Sequence, residues 1–270
     1  MALLPLLLGA AAPDSFRFAI VGDRTGAHVP GVYEEVWKEL AGAKPAFVLS
    51  VGDTIEGNHD DTAAAEWREA ESILHPWANL PLYLTPGNHD IWSALSEKLF
   101  TQYAKHEPHY SFDYGSAHFT VLDNSRSDEF SAAEMEFLEQ DLKAHESQPL
   151  KIVVSHRPSW ILNVLIGDTN FPLHRIAKKY GVRYVLSGHI HEMFHAEADG
   201  VTYLSMESAG GHLRASGEYR DGWFFGYTVV DVTAKGADFR IHEIRAPFGK
   251  GRVTGLNDWG KGGLMKANPN

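Results

Sequence analysis

Five short apolar runs in this chain each stop at a cluster of glycine with aspartate, asparagine or histidine, and no other feature constrains the fold as strongly. The runs at 16–21 (FRFAIV), 46–51 (AFVLSV), 80–84 (LPLYL), 151–154 (KIVV) and 183–186 (RYVL) are short and rich in β-branched and aromatic residues, so each reads as a buried strand. They lead into Gly22-Asp23, Gly52-Asp53, Gly87-Asn88-His89-Asp90, His156 and Gly188-His189-Ile190-His191. Helical periodicity fills the gaps at 30–43, 62–78, 92–104 and 131–145, the last opening with a Ser-x-x-Glu capping box at Ser131 and Glu134. Repeated strand–helix units predict an α/β protein. In open α/β sheets ligands bind beyond the carboxyl ends of the strands, so polar residues spread from 23 to 191 are expected to meet at one site. The glycines before Asp23, Asp53, Asn88 and His189 are expected to let the backbone turn sharply there.

The rest of the chain fills in the architecture. A hairpin is expected from 110–114 and 118–122 around the turn 115–117, and antiparallel strands at 202–206, 223–232 and 238–244. The expected fold is α/β, two stacked mixed β-sheets flanked by helices. A length of 270 residues suits one domain. With 35 acidic against 24 basic side chains the net charge of −11 gives no strong nucleic-acid signal. The absence of cysteine excludes disulfides, a thiolate nucleophile and cysteine-held zinc, which leaves His, Asp, Glu, Asn and backbone to hold any metal. Residues 1–13 form an apolar run ending in small residues, which reads as a secretory signal or an apolar arm. The run is too short for a transmembrane segment and lacks a basic leader. It points to a periplasmic or secreted protein, and otherwise to a cytoplasmic one. Residues 250–270, rich in Gly, Lys and Asn, are expected to form a loosely ordered tail, which leaves 14–249 as the folded domain.

Asp, Asn and His are oxygen and imidazole donors suited to zinc, manganese, iron and similar ions. The order GD, GD, GNHD, H, GHxH over 16–195 resembles the signature of the calcineurin-like metallophosphoesterases. That family includes purple acid phosphatases, protein serine/threonine phosphatases, cyclic-nucleotide phosphodiesterases and several nucleases, and the chain is most similar to its purple acid phosphatase and phosphodiesterase branch. The resemblance implies a four-layer αββα sandwich with 14–249 as its catalytic domain, and two metal ions (Fe, Zn, Mn or similar) bridged by Asp53. Asp23 and His191 would complete the first site, and Asn88, His156 and His189 the second. It further implies hydrolysis of a small phosphate ester, a mono- or diester, by a metal-activated hydroxide. A family member that has lost catalysis and serves as a metal-stabilised binding module is the alternative, and a nuclease a more distant one.

Other roles stay open at the level of sequence. The resemblance places His89 beside the leaving group as a proton donor, while a histidine that braces the Asn88 loop is the plainer reading. Asp90 reads as structural. Arg24 and Arg157 adjoin Asp23 and His156 and are candidate phosphate donors, as is His212 in the loop SAGGHLR. Where the family often has Asp-x-His, this chain has Asp23-Arg24-Thr25, so one expected ligand is missing. Glu56 stands where purple acid phosphatases carry a tyrosine ligand and protein phosphatases an aspartate paired with the GNH histidine. It is therefore a candidate ligand, a partner that orients His89, or an exposed turn residue. The apolar stretch 160–166 reads either as packing onto the sheet or as a lid.

Overall fold

The first strand shows how the layers arise. Phe16, Phe18 and Ile20 face one way into a core shared with Phe119, Ile152, Val154, Leu186 and Leu204, while Ala19 and Val21 face the other way, onto Val36, Trp37 and Leu40. A strand buried on both faces carries apolar residues at nearly every position, which is why these runs lack polar alternation. The computed structural model describes residues 15–245 and 249–259.

The strands are β1 (Phe16–Val21), β2 (Val48–Ser50), β3 (Leu82–Tyr83), β4 (Tyr110–Tyr114), β5 (Ala117–Val121) and β6 (Leu150–Val154). They continue with β7 (Tyr184–Ser187), β8 (Phe194–Ala198), β9 (Val201–Ser205), β10 (Phe225–Thr233), β11 (Gly236–Arg245) and β12 (Gly249–Gly255). The helices are α1 (Val32–Gly42), α2 (Asp60–Leu74), α3 (Ala94–Ala104), α4 (Ala132–Ala144), α5 (Ile161–Leu165) and α6 (Pro172–Tyr180). Two six-stranded mixed sheets form, in the orders β12-β11-β10-β1-β2-β3 and β4-β5-β6-β7-β9-β8. Their facing sides make the central core; α1 covers the outer face of the first sheet, and α4 with α6 that of the second. The strands β1, β2 and β3 run parallel in one sheet and β5, β6, β7 and β9 in the other. The five polar clusters follow β1, β2, β3, β6 and β7.

Three details differ from expectation. The segment 202–206 was expected among antiparallel strands, but β9 pairs in parallel with β7 and is antiparallel only to β8, a short strand whose FHAEA sequence gives a weak signal. Part of the glycine-rich segment after 249 is ordered: β12 pairs with β11, and Trp259 is 1% exposed against Phe224 and Tyr219. Only half of the capping box forms, since Ser131 Oγ accepts from Glu134 N at 3.1 Å while the Glu134 carboxylate turns to His109 and the Asp123 amide. The expected apolar arm or signal at 1–13, and the tail from 260 onward, lie outside the described residues. Among those described, no helix is long and apolar enough to cross a membrane.

Candidate metal centre

Side chains from the two sheets meet where their parallel strands end. Beyond β1, Asp23 is fully buried, and its Oδ1 accepts from the His189 amide, across the sheet interface, at 2.8 Å. Beyond β6, His156 is anchored through Nδ1 on the Val51 carbonyl at 2.9 Å. Its Nε2 then lies 3.2 Å from Asp53 Oδ2, 3.0 Å from Asn88 Oδ1 and 3.2 Å from His189 Nδ1. His191 Nδ1 is engaged with the His212 carbonyl at 2.8 Å, which leaves Nε2 on the side of Asp23, 3.6 Å from Oδ1. A backbone carbonyl that fixes one ring nitrogen and frees the other is the support a metal-ligating histidine needs.

Two donor groups result, and they share one residue. Asp53, His156 and His189 form one, and Asp23, Asp53 and His191 the other, each with ligand atoms within 4.8 Å of one another. Asp23 Oδ2 and His191 Nε2 are buried with no hydrogen-bond partner, and Asp53 Oδ2, also without a hydrogen bond, faces the His156 ring at 3.2 Å. Buried polar atoms left unpaired cost free energy, and three converging on one spot fit a cation rather than a solvent gap. Burial works against the charge of Asp53, yet the adjacent His156 and the His89 hydrogen bond hold its carboxyl well below the usual range. Burial alone would lower His156, but Asp53 and Asp23 push it up to about 9. Burial, followed by the nearby His156 charge, pushes His189 down to about 3.

The backbone explains how so many ligands fit. Of the four glycines before the ligands, Gly52 alone has a left-handed φ, of 107°. The sharp turns fall mostly on the ligands themselves: Asp53, His189 and His191 have φ of 58°, 71° and 60°. Such conformations are costly for non-glycine residues and persist where the surroundings impose them. Gly87 and Gly188 serve close approach instead, because a Cβ would stand 2.1 Å from Asp53 Oδ1 and 2.7 Å from Asp23 Oδ2 respectively. Asp90 ties the loops together: its carboxylate accepts from the amides of Asp53, Thr54 and Gly87 at 2.8, 2.8 and 2.9 Å. Burial and the Asp53 charge push Asp90 up to about 6, against those amide donors.

The remaining expected residues divide clearly. His89 lies at the cluster's edge, half-buried; its amide donates to Asp53 Oδ1 at 2.9 Å and its Nδ1 to the Glu56 carbonyl. The Glu56 carboxylate is spent elsewhere, accepting from Ala27 N, His28 N and His28 Nδ1 at 3.1, 3.0 and 2.6 Å. Thr25 donates to the Ile55 carbonyl at 2.6 Å. Arg24 points inward to the Thr54 carbonyl and Glu69, and Arg157 reaches Asp128 and the Ser125 carbonyl. His212 contributes its carbonyl to His191, while its own Nδ1 lies 2.6 Å from the Gly26 carbonyl. The stretch 160–166 does two things: Trp160 is buried with its Nε1 donating to Ser187 Oγ at 3.1 Å, whereas Leu162 and Ile166 are 72% and 79% exposed. Sequence reasoning had no signal for the carbonyls of Val51, Glu56 and His212, because backbone groups leave no residue-type trace.

Comparison with known proteins agrees with this geometry. Residues 16–193 match the family described as calcineurin-like phosphoesterase. A 3′,5′-cyclic-nucleotide phosphodiesterase of Nostoc sp. is 27% identical over 184 residues, 64% of this chain and 66% of that protein, so the chain spans just under two thirds of its relative. Among solved structures, a purple acid phosphatase from yellow lupin superposes with a TM-score of 0.64 at 16% identity, over 89% of this chain and 53% of its own. A Plasmodium protein described as the anchor in the inner membrane complex gives a TM-score of 0.65 at 16% identity, over 94% of this chain and 90% of its own. At such identity the structures speak for the fold. With two thirds of its length matched and the donor set in place at the strand ends, this chain belongs to the calcineurin-like phosphoesterase family.

Proposed function

We propose that the chain hydrolyses a small phosphate ester with two metal ions held by Asp23, Asp53 and His191 on one side and by Asp53, Asn88, His156 and His189 on the other. The observation that carries this reading is the sharing of Asp53 by two donor groups, with Asp23 Oδ2, Asp53 Oδ2 and His191 Nε2 buried without a hydrogen bond. Metal ions held by these residues would supply positive charge to a phosphate ester and acidify a bound water. The protein's own groups do the positioning. Asp90 and the carbonyls of Val51 and His212 orient the ligands through hydrogen bonds of the protein's own.

His89 is the proton donor to the leaving group in this reading. With Nδ1–H donating to the Glu56 carbonyl, Nε2 is the nitrogen left to exchange a proton, which it gives up from the imidazolium form. The 3′,5′-cyclic-nucleotide phosphodiesterase relative makes a phosphodiester the first substrate class to test. The experiment is elemental analysis of the purified protein, followed by hydrolysis of nitrophenyl mono- and diesters and of a cyclic nucleotide, with and without chelator. Turnover that vanishes with chelator and returns with Mn²⁺ or Zn²⁺ supports the reading. Two bound metals with no turnover of any ester supports the binding-module alternative. His89→Ala should keep its metals and lose about 10²–10⁴-fold on alkyl esters but far less on nitrophenyl esters, which need little protonation. An equal loss on both would remove His89 from the proton-donor role.

A further inference from the structure

In the second sheet β6 and β7 run into candidate ligands, whereas β5 beside them runs into Leu122-Asp123-Asn124-Ser125. Asn124 is 3% exposed, and a buried amide needs partners for its donor and its acceptor alike. It finds them in the segment that leaves His156. Its Oδ1 accepts from the Arg157 amide at 3.0 Å, and its Nδ2 donates to the Arg157 carbonyl at 2.8 Å and to Ser159 Oγ at 3.0 Å. A side-chain amide carries the same donor and acceptor as a peptide, so it serves both backbone groups of Arg157 as a neighbouring strand would. The same loop holds the Arg157 guanidinium through the Ser125 carbonyl and Asp128. The peptide between His156 and Arg157 is therefore pinned from two sides. Its carbonyl accepts from the Gly188 amide at 2.8 Å, beyond β7, and its N–H is the one held by Asn124, beyond β5. A peptide group is planar, so holding both ends fixes the plane and the direction in which the His156 side chain leaves the backbone.

We propose that Asn124 is a positioning residue of this centre: by holding the peptide after His156 it keeps Nε2 of that ring facing Asp53, Asn88 and His189, the other donors of the same side. Ligand distances to a metal tolerate only about 0.2 Å, so a peptide free to rock is felt as lost affinity although Asn124 touches neither ion nor substrate. The inference rests on the two-metal reading. Asn124 left no signal in the sequence, because its main partners are the backbone groups of another loop.

The test titrates the metal-free full chain with Mn²⁺ by calorimetry. Asn124→Ala should weaken the binding step that His156→Ala abolishes by about tenfold, the low end for losing a group that orients a ligand, and leave the other step within about threefold. Because Asn124 acts through that ring, adding Asn124→Ala to His156→Ala should change nothing further. Asp141→Asn is the control for lost stability: it breaks a buried pair with His118, away from the cluster, and should leave both steps as they are. Should Asn124→Ala not fold, Ser159→Ala removes one of the three contacts and should weaken the same step by about threefold. Unchanged Mn²⁺ affinity in Asn124→Ala, or in Ser159→Ala where that is the variant measured, would overturn the role of Asn124 alone. So would a further tenfold loss in the double variant. A wild type that takes up no Mn²⁺ would take the two-metal reading down with it.

Discussion

Two clusters of histidine and aspartate stand out among the described residues, and they differ in what their atoms are already doing. Both contain groups of metal-ligand type: Asp23, Asp53, His156, His189 and His191 beyond the strand ends, and Asp113 and His118 on the second sheet with His145 at the end of α4. In the second cluster His118 is satisfied at both nitrogens, by Asp113 at 2.7 Å and by Asp141 at 2.8 Å. Asp141 also accepts from Thr120 and Ser111, and the rings of His118 and His145 stack at 3.9 Å. Stacked rings present their in-plane lone pairs in parallel planes, which suits packing and not convergence on one ion. In the first cluster Asp53, His189 and His191 sit on left-handed backbone, and Asp23 Oδ2, Asp53 Oδ2 and His191 Nε2 are buried without a hydrogen bond. Composition is similar in the two places. Satisfaction of the donors separates a structural ion-pair network from a candidate metal centre.

The largest expected effect tests that separation directly. Asp53→Asn should remove the shared ligand, so bound metal and turnover should both fall by more than the 10–100-fold typical of losing a residue that only supports a ligand. Asp141→Asn should leave metal content and kcat unchanged. It breaks a pair whose partners are 0% and 6% exposed and should cost about 3–5 kcal/mol in urea unfolding. Equal metal loss in the two variants would erase the distinction.

A third buried acid sharpens the comparison, because it has an unpartnered oxygen but no converging donors. Glu207 is 1% exposed; Oε1 accepts from Thr228 Oγ1 at 2.9 Å and Oε2 has no partner. Without neighbouring cationic groups, burial pushes its carboxyl up to about 7, so it answers desolvation by holding a proton. The folded value lies above the unfolded one, so its contribution to stability is complete below about pH 4.5 and is lost as pH rises through 7. Glu207→Gln should therefore gain on wild type between pH 5 and pH 8 by up to about 3 kcal/mol. The amide leaves an unpaired N–H at both pH values, so the change in the difference is the quantity to measure. A stability difference that stays the same at pH 5 and pH 8 would show Glu207 ionised throughout.

How much of this was legible in the sequence depends on what kind of group does the work. The run 16–21 matches β1 residue for residue because burial on both faces writes apolar residues at nearly every position, and 110–114 matches β4 because Gly115 marks the turn. The convergence of Asp23, Asp53, Asn88, His156, His189 and His191 was also legible, since each stands at the end of such a strand. What was not legible lies in backbone and loops. The glycines were expected to make the turns, yet the ligands make most of them, because φ is a property of the packed loop and only weakly of residue type. Arg24 and Arg157 looked available from their positions, and only the structure shows Glu69 and Asp128 holding them.

Glu56 provides the smallest and most delicate test, because it lies beside the first cluster in sequence and belongs with the second by its bonding. Its carboxylate, 35% exposed, already accepts from two amides and the His28 ring, so by the satisfaction criterion it behaves as Asp141 does and not as Asp53 does. Glu56→Ala should keep the metals, keep the leaving-group dependence set by His89, whose partner is the Glu56 carbonyl, and cost about 1 kcal/mol of stability. A secondary effect should travel along the loop. Residues 27 and 28 would lose their anchor, the neighbouring Gly26 carbonyl holds His212, and the His212 carbonyl holds His191, so the affinity of the Asp23–His191 side should fall less than tenfold, below the range for losing a direct ligand support. Thr25→His offers no rescue on this account, because Thr25 is 0% exposed and its hydroxyl is bonded to the Ile55 carbonyl, which leaves no room for an imidazole without moving the loop. Metal titrations of the single and double variants decide the matter. Loss of one ion in Glu56→Ala, restored by excess metal and again by adding Thr25→His, would mean that the carboxylate leaves the His28 loop when a metal arrives, and satisfaction in the metal-free protein would then no longer distinguish the two kinds of cluster.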